Sequence, residues 1–244
     1  MIVEEEAMDI TTPTLMTTPA PAPPVGTGPA AGAAAKSEVT DLTEYAARYA
    51  GERHWDVFPG TWLEIDKGVP RCSCGAANCD APGAHPVRPG WAAEAAGSAT
   101  AARRMWAERP QASVLLPTGR TFDAVEVSET AGCLALARME RQGLRPGPVI
   151  GAPGGRMTFL VLPGAAARIP DLVRRLGLPP GAVGLTALGE GSWVAAPPTR
   201  LGTRGPVLWV REPTDANRLL PDAGEIVPAL AYACGRDLTA APRR

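Results

Sequence analysis

Histidine is scarce in this chain, and long apolar runs are missing from it. His54 and His85 are the only histidines among the 244 residues, and we find no Ser/His/Asp arrangement, no free Cys/His pair and no Walker-type phosphate loop. No stretch approaches the roughly 18 apolar residues that a membrane helix needs. The first ten residues, MIVEEEAMDI, are acidic where a signal peptide is basic. We therefore expect a cytoplasmic protein without a membrane segment.

Composition divides the chain into two parts. Residues 1–36 are rich in Thr, Pro and Ala, have no apolar period and are predicted to be a disordered tail. Residues 37–240 are predicted to form one domain, since 45% of the chain is hydrophobic and such a length can bury a core. Residues 1–44 hold seven of the 25 acidic residues and one of the 24 basic ones. The small basic excess of the remainder fits phosphate-bearing partners, but it equally fits an ordinary mixed surface.

Three of the five cysteines lie in one short segment, CSCGAANCDAPGAH, together with one of the two histidines. Cys72, Cys74, Cys79 and His85 follow the pattern C-x-C-x4-C-x5-H, and three thiolates with one imidazole are a ligand set typical of structural zinc. A filled set of four leaves no position for water, so this metal would brace the structure. The one-residue gap between the first two cysteines leaves open whether both bind the same ion, and the alternative is a surface loop with free thiols. We expect the other two cysteines, Cys133 and Cys234, to be buried on apolar helix faces.

The chain after Ser37 alternates helical and extended patterns, which predicts an α+β or mixed-sheet α/β class. The predicted helices are SEVTDLTEYAARYAGER, ATAARRMWAERP, TAGCLALARMERQG, AAARIPDLVRRLG and DAGEIVPALAYACGRD. The predicted strands are WDVFPG, ASVLLP, FDAVEVS, two strands in VIGAPGGRMTFLVLP, and then AVGLTAL, SWVAAPP and PVLWVRE.

The order of four segments resembles a known family. WDVFPG, CSCGAANCDAPGAHPVRPGW, RRMWAERPQASVLLPTG and SWVAAPPTR are similar to the N-terminal domain of bifunctional DNA primase/polymerases, the Prim-Pol branch of the archaeo-eukaryotic primase superfamily. The resemblance covers about residues 40–215. It implies an α+β, mixed-sheet Prim-Pol domain with an RRM-like core and a zinc-binding insertion at residues 70–90. It also implies a DNA or nucleotide ligand, a link to DNA replication and a partner among replication proteins.

The catalytic motifs of that family are altered here. Nucleotidyl transfer uses two divalent cations held by carboxylates. The resemblance aligns Glu126 with the first carboxylate but places Ser128 at the second, Met157 at a phosphate-binding histidine and Thr186 at a third-strand aspartate. We therefore expect a Prim-Pol fold without polymerase chemistry, and the altered motifs put Mg²⁺ or Mn²⁺ binding in doubt.

Neighbouring charges do not replace the missing ones. Asp123 and Glu126 face opposite sides of a strand, and we expect Asp123 and Glu129 to be solvated. Four arginines near strand ends are candidates for phosphate contacts, although arginines at such places also serve solubility. They are Arg120, Arg156, Arg200 and Arg204.

Three functions remain open from the sequence. The first is a catalytically degenerate protein that binds nucleic acid or nucleotide. The second is an active nucleotidyltransferase with an altered metal site, and the third is a zinc-braced protein-interaction module.

Overall fold

The computed structural model describes residues 41–179, 181 and 183–240. The predicted disordered tail at residues 1–36 lies outside these ranges. All described residues belong to one compact unit.

Helices and strands are interspersed along the described residues, so the predicted α+β class is confirmed. The helices are α1 Leu42–Glu52, α2 Ala99–Glu108, α3 Glu129–Arg141, α4 Ala165–Arg175 and α5 Ala223–Ala240. The strands are β1 Phe58–Pro59, β2 Leu63–Asp66, β3 Val69–Cys72, β4 Val114–Pro117, β5 Asp123–Ser128, β6 Val149–Ala152, β7 Arg156–Val161, β8 Thr186–Leu188, β9 Trp193–Ala195, β10 Arg200–Leu201, β11 Gly205–Pro206 and β12 Leu208–Arg211.

Side chains cap several helices where the sequence favours a helix start. Asp41 accepts the Thr43 N–H at α1. Ser98 accepts the Ala101 N–H at α2, as its position before the helix predicts. These hydroxyl and carboxylate oxygens satisfy backbone donors that have no partner within the helix.

The main sheet has five strands in the order β12-β6-β7-β5-β8, and its neighbouring strands are antiparallel. Along the chain, four strands of this sheet and two helices follow the order β5-α3-β6-β7-α4-β8. The register places Glu126 of β5 opposite Thr158 of β7 and Thr186 of β8. Because side chains alternate along a strand, these three residues share one face of the sheet.

Helices α3, α4 and α5 cover the opposite face of the main sheet. Val125, Val127 and Met157 point to these helices and are almost completely buried there. Burial of a side chain of this size stabilises a fold by about 1.5–3 kcal/mol. Packing therefore occupies most of this face.

A second core covers part of the face that carries Glu126. It joins α1, α2 and the three-stranded sheet β1-β4-β9 to Ala124 and Leu160 of the main sheet. Trp106 of α2 is fully buried in it and donates through Nε1 to Ala112 O at 2.9 Å. The polar residues Glu126 of β5 and Arg156 of β7 lie beside this second core.

The hairpin that precedes the cysteine segment was not predicted. Strands β2 and β3 form a hairpin that leads into the cysteine segment, with Lys67 and Gly68 as its turn. Both turn residues have positive φ, 51° and 82°, which is the geometry of a two-residue type I′ turn. The signal in the sequence is the Lys-Gly pair between two short runs, LEID and VPRC.

Candidate metal centre and nucleic-acid cleft

The structure brings Cys72, Cys74, Cys79 and His85 together. Their ligand atoms all lie within 4.8 Å of one another, and Cys72 Sγ is 3.4 Å from His85 Nε2. A tetrahedral zinc ion with Zn–S bonds of about 2.3 Å separates a sulfur and a nitrogen ligand by about 3.5 Å. The four side chains can therefore hold one metal ion, and the short spacing of the first two cysteines does not prevent it.

Backbone contacts orient two of these ligands. His85 Nδ1 lies 2.8 Å from Pro86 O, and because a carbonyl only accepts, the Nδ1–H tautomer leaves the Nε2 lone pair free for a metal. The Gly83 N–H donates to Cys72 Sγ at 3.3 Å. Gly83 has a φ of 77°, and a Cβ there would lie 2.9 Å from Leu63 Cγ. Glycine at this position is thus required for the loop to close around Cys72.

The thiols of the cluster differ in acidity. Burial opposes ionisation of Cys72, but hydrogen bonds from the backbone of Cys74 and Gly83 and from the side chains of Thr61 and Cys74 lower its pKa to about 6. Burial, together with the neighbouring Cys72 and Cys74 side chains, raises the pKa of Cys79 to about 11. A second thiolate beside Cys72 is therefore unfavourable unless a cation balances it, and a metal ion supplies that charge.

The segment between Cys79 and His85, called the metal loop below, also contacts two residues of a nearby cleft. Trp193 donates from Nε1 to Ala84 O at 3.5 Å, and Arg204 donates from Nη2 to Asp80 O at 3.3 Å. Both acceptors lie in the segment between the third and fourth metal ligands. A metal ion that orders this segment would therefore also fix these two side chains.

The cleft has a volume of about 220 Å³ and opens on the sheet face that carries Glu126. Its polar lining includes Glu126, Arg156, Thr158 and Arg204, and Trp193 adds an indole ring. Apolar side chains supply the rest of its walls. A cleft with two guanidinium groups and an aromatic ring can bind an anion joined to a planar group.

Arg156 binds the one carboxylate aligned with the family's metal ligands. Arg156 Nε and Nη2 lie 2.9 Å and 2.8 Å from Glu126 Oε1. The two side chains are 36% and 31% exposed, so water reaches the pair. A divalent cation that used this oxygen would have to displace the guanidinium.

The residue next to Arg156 points the other way. Met157 is 1% exposed and packs on α3, where a Cβ at Gly132 would approach its sulfur. The sequence aligned Met157 with a phosphate-binding histidine, but the side chain of this strand that faces the cleft beside Glu126 is Arg156. Strand alternation is the physical reason, because neighbouring residues lie on opposite faces.

The other aligned positions bring no carboxylate of their own. Thr186 is exposed on β8, and Ser128 caps α3 by accepting the Ala131 N–H at 3.1 Å. The Ser128 hydroxyl donates to Asp237 Oδ2 of α5 at 2.5 Å. Within the described ranges, the Cys/His cluster is the one group of at least three Cys, His, Asp or Glu residues whose ligand atoms lie close enough together to hold a metal ion.

Two of the four candidate arginines lie in the cleft. Arg156 and Arg204 line it. Arg200 lines a separate cavity of about 200 Å³, and Arg120 Nη1 lies 3.2 Å from Asp56 Oδ2. The structure therefore groups only Arg156 and Arg204 with Glu126.

Two expectations about single residues are wrong. Asp123 is not solvated: it is 2% exposed, and its Oδ2 accepts the Ala166 N–H at 2.8 Å, in the first turn of α4. A helix N-terminus is a favourable partner for a carboxylate, and the first position of β5 faces the helical layer. Cys133 is exposed on α3, although its Sγ lies 4.0 Å from Met157 Sδ. Glu129 is exposed and Cys234 is buried, as predicted.

Trp193 and Asp237 were missed as residues near the site. Trp193 stands in the segment SWVAAPPTR that carries the family resemblance, which is a signal that sequence reasoning could have used. Asp237 lies on α5, 109 residues from its partner Ser128. No local pattern predicts a contact over such a separation.

The comparisons with known proteins give one match. The family model described as bifunctional DNA primase/polymerase, N-terminal, matches residues 46–223, well over half of the chain. No curated protein and no solved structure matches the sequence. Among the described residues, no helix is both long and apolar enough to cross a lipid bilayer. The matched range includes the metal cluster and every residue of the cleft named above, and the chain belongs to the bifunctional DNA primase/polymerase N-terminal (Prim-Pol) family.

Proposed function

We propose that this chain is a Prim-Pol domain that binds nucleic acid or nucleotide in the Glu126 cleft and does not catalyse nucleotidyl transfer. Family membership implies a nucleic-acid or nucleotide ligand. The observation that carries the proposal is the ion pair between Arg156 and Glu126. In this pair the guanidinium group of Arg156 binds the carboxylate of Glu126, which a catalytic metal ion would need as a ligand.

Charge supports this proposal. Two divalent cations held about 3.5–4 Å apart need carboxylates around both of them. The aligned strands supply Glu126 alone, with neutral hydroxyl groups at Ser128 and Thr186. Hydroxyl oxygens without carboxylates are weak ligands for Mg²⁺ and Mn²⁺. The same cleft retains guanidinium groups at Arg156 and Arg204 that suit phosphates.

The finer structural assignments belong to the same proposal. An RRM-like core is supported by the chain order β5-α3-β6-β7-α4-β8 and the sheet order β6-β7-β5-β8. Zinc is supported by the Cys3His donor set, since thiolate and imidazole together are its usual structural ligands. When bound, the ion would brace the loop and leave no open position for catalysis. A cytoplasmic location suits a cluster that needs reduced thiols, and the links to DNA replication and to a replication partner follow from the family alone.

The test is primer extension and binding with protein in which the Cys/His cluster is loaded with zinc. We expect no extension and no dinucleotide with Mg²⁺ or Mn²⁺. We expect binding of a labelled oligonucleotide that neither cation strengthens. If wild type extends a primer and Glu126→Gln abolishes extension, the active-transferase function is correct instead. If wild type binds neither oligonucleotide nor nucleotide at low salt, where phosphate contacts are strongest, the interaction module becomes the better function.

A restored variant makes this test sharper. Ser128→Asp, Thr186→Asp and Arg156→His together add two carboxylates and an imidazole to β5, β8 and β7, the strand of Glu126 and its two neighbours. We expect this variant to gain Mn²⁺ binding, measured by isothermal titration calorimetry. The matched control replaces Arg156→His by Met157→His. We expect that control to lose thermal stability, because it places an imidazole in the apolar layer under α3.

A further inference from the structure

Trp193 is the aromatic ring that lines the cleft together with both cleft arginines. It begins β9 and pairs with Pro117 of β4, and its side chain is half-buried. The indole meets the Trp91 ring edge to face, with centroids 5.7 Å apart and planes at 74°. Its Nε1 lies 3.5 Å from Ala84 O. Contacts outside the cleft thus hold the ring in place, while the same side chain forms part of the cleft wall.

The size of the cleft limits what it can take. Pockets that enclose a whole small molecule measure roughly 300–1,000 Å³, whereas this cleft measures about 220 Å³. It accommodates one planar group and leaves the remainder of a ligand outside. Single-stranded nucleic acid has this form, because each base can turn out while the backbone continues along the surface.

The charges beside the ring match such a ligand. Arg156 lies at the start of β7, and a Cβ at Gly154 would be 3.5 Å from Arg204 Nη1. Both guanidinium groups therefore flank the turn between β6 and β7. An aromatic ring beside cations is the arrangement by which proteins bind single strands with little sequence preference.

We propose that Trp193 is a stacking platform for one base of single-stranded nucleic acid, with the adjoining phosphate held by Arg156 and Arg204. The inference rests on the proposed function. It adds the class of ligand, single-stranded nucleic acid, and the residue on which a base stacks. A free nucleotide has the same chemistry, but it lacks the continuing backbone.

The experiment compares three probes by fluorescence anisotropy and competition. They are a labelled oligo(dT) strand, an abasic strand of the same length, and free dTTP as a competitor. Wild type should bind oligo(dT) about tenfold more tightly than the abasic strand, since stacking of one base contributes roughly 5- to 150-fold. dTTP should compete weakly.

Variants locate the effect at the ring. Trp193→Leu should lose about tenfold in affinity for oligo(dT) and keep its affinity for the abasic strand, whereas Trp193→Phe should retain most of the base-dependent binding. Trp62→Leu is the matched control, because Trp62 is also half-buried but lines the other cavity. It should leave the ratio of the two affinities unchanged.

Each contrary outcome has a distinct meaning. Equal wild-type affinity for both strands overturns the stacking platform without using any variant, so the proposal stays testable if Trp193→Leu does not fold. An equal loss for both strands in Trp193→Leu also overturns it, since the ring would then be structural. Stronger binding of dTTP than of oligo(dT) overturns the single-strand ligand. Absence of binding to either strand and to dTTP contradicts the proposed function itself.

Discussion

The charge state of the cleft depends on one pair of residues. Arg156 and Glu126 are both about one-third exposed, so the pair adds little to stability, as is usual for ion pairs in contact with water. Its consequence is chemical. The guanidinium satisfies Glu126 Oε1, and the carboxylate in turn reduces the positive charge that Arg156 can offer to a phosphate.

This competition gives a prediction for nucleic-acid binding. Glu126→Gln removes the negative charge and frees Arg156, so we expect oligonucleotide affinity to rise severalfold. Arg156→Ala should lower the affinity by a similar or larger factor. Fluorescence anisotropy measures both, and Glu108→Gln, an exposed acidic residue on α2, is the control for a change in net charge alone. An unchanged affinity in Glu126→Gln would place the bound phosphate outside this cleft.

Some residues of the candidate sites could be predicted from the sequence, and others could not. The Cys/His cluster could be predicted because its four residues lie in one short segment with a recognisable spacing. The partner of Glu126 could not be assigned in this way. A shift of one residue on a strand exchanges its two faces. The paired register of β5 and β7 places Arg156, and not Met157, on the sheet face of Glu126.

At the scale of elements, the metal loop connects the two candidate sites. The segment between Cys79 and His85 accepts hydrogen bonds from Trp193 and Arg204. Pro82 O in the same segment accepts the Gly202 N–H at 2.8 Å. Loss of the metal would free this segment and, with it, one wall of the cleft.

The connection predicts a joint loss of metal and ligand binding. Purified protein should contain about one zinc ion per chain by elemental analysis, and Cys79→Ser should lose the zinc, melt at a lower temperature and bind oligonucleotide more weakly. Cys133→Ser is the matched control, because Cys133 is exposed on α3 and outside the cluster. Protein purified without chelator and free of zinc would contradict the metal site. Full oligonucleotide binding by a zinc-free Cys79→Ser protein would contradict the connection to the cleft.

Elements were easier to predict than their contacts. Caps at Ser98 and apolar periods along α2 and α3 act within a few residues, so the sequence indicates these helices directly. The hairpin of β2 and β3 was missed because its turn pair, Lys67 and Gly68, is a weaker signal than Asn-Gly or Asp-Gly. The separation of Asp123 from Glu126 followed from strand alternation. The burial of Asp123 under α4 did not, because it depends on where a helix 43 residues away begins.

The whole molecule carries almost no net charge. The formal value is −1, so long-range attraction of the entire protein for a polyanion is weak. Binding must then depend on the cations grouped at the cleft.

This balance predicts a shallow dependence of binding on salt. Each phosphate neutralised on a single strand contributes about −0.7 to the slope of log K against log salt concentration, so one phosphate held by Arg156 and Arg204 gives a slope of about −0.7. Arg204→Ala should reduce its magnitude, because one of the two cations on that phosphate is lost. Arg200→Ala is the control, since Arg200 lines the other cavity, and it should leave the slope unchanged. A slope several times steeper in wild type, or an equal change in both variants, would mean that the strand runs across a wider basic surface than the Glu126 cleft.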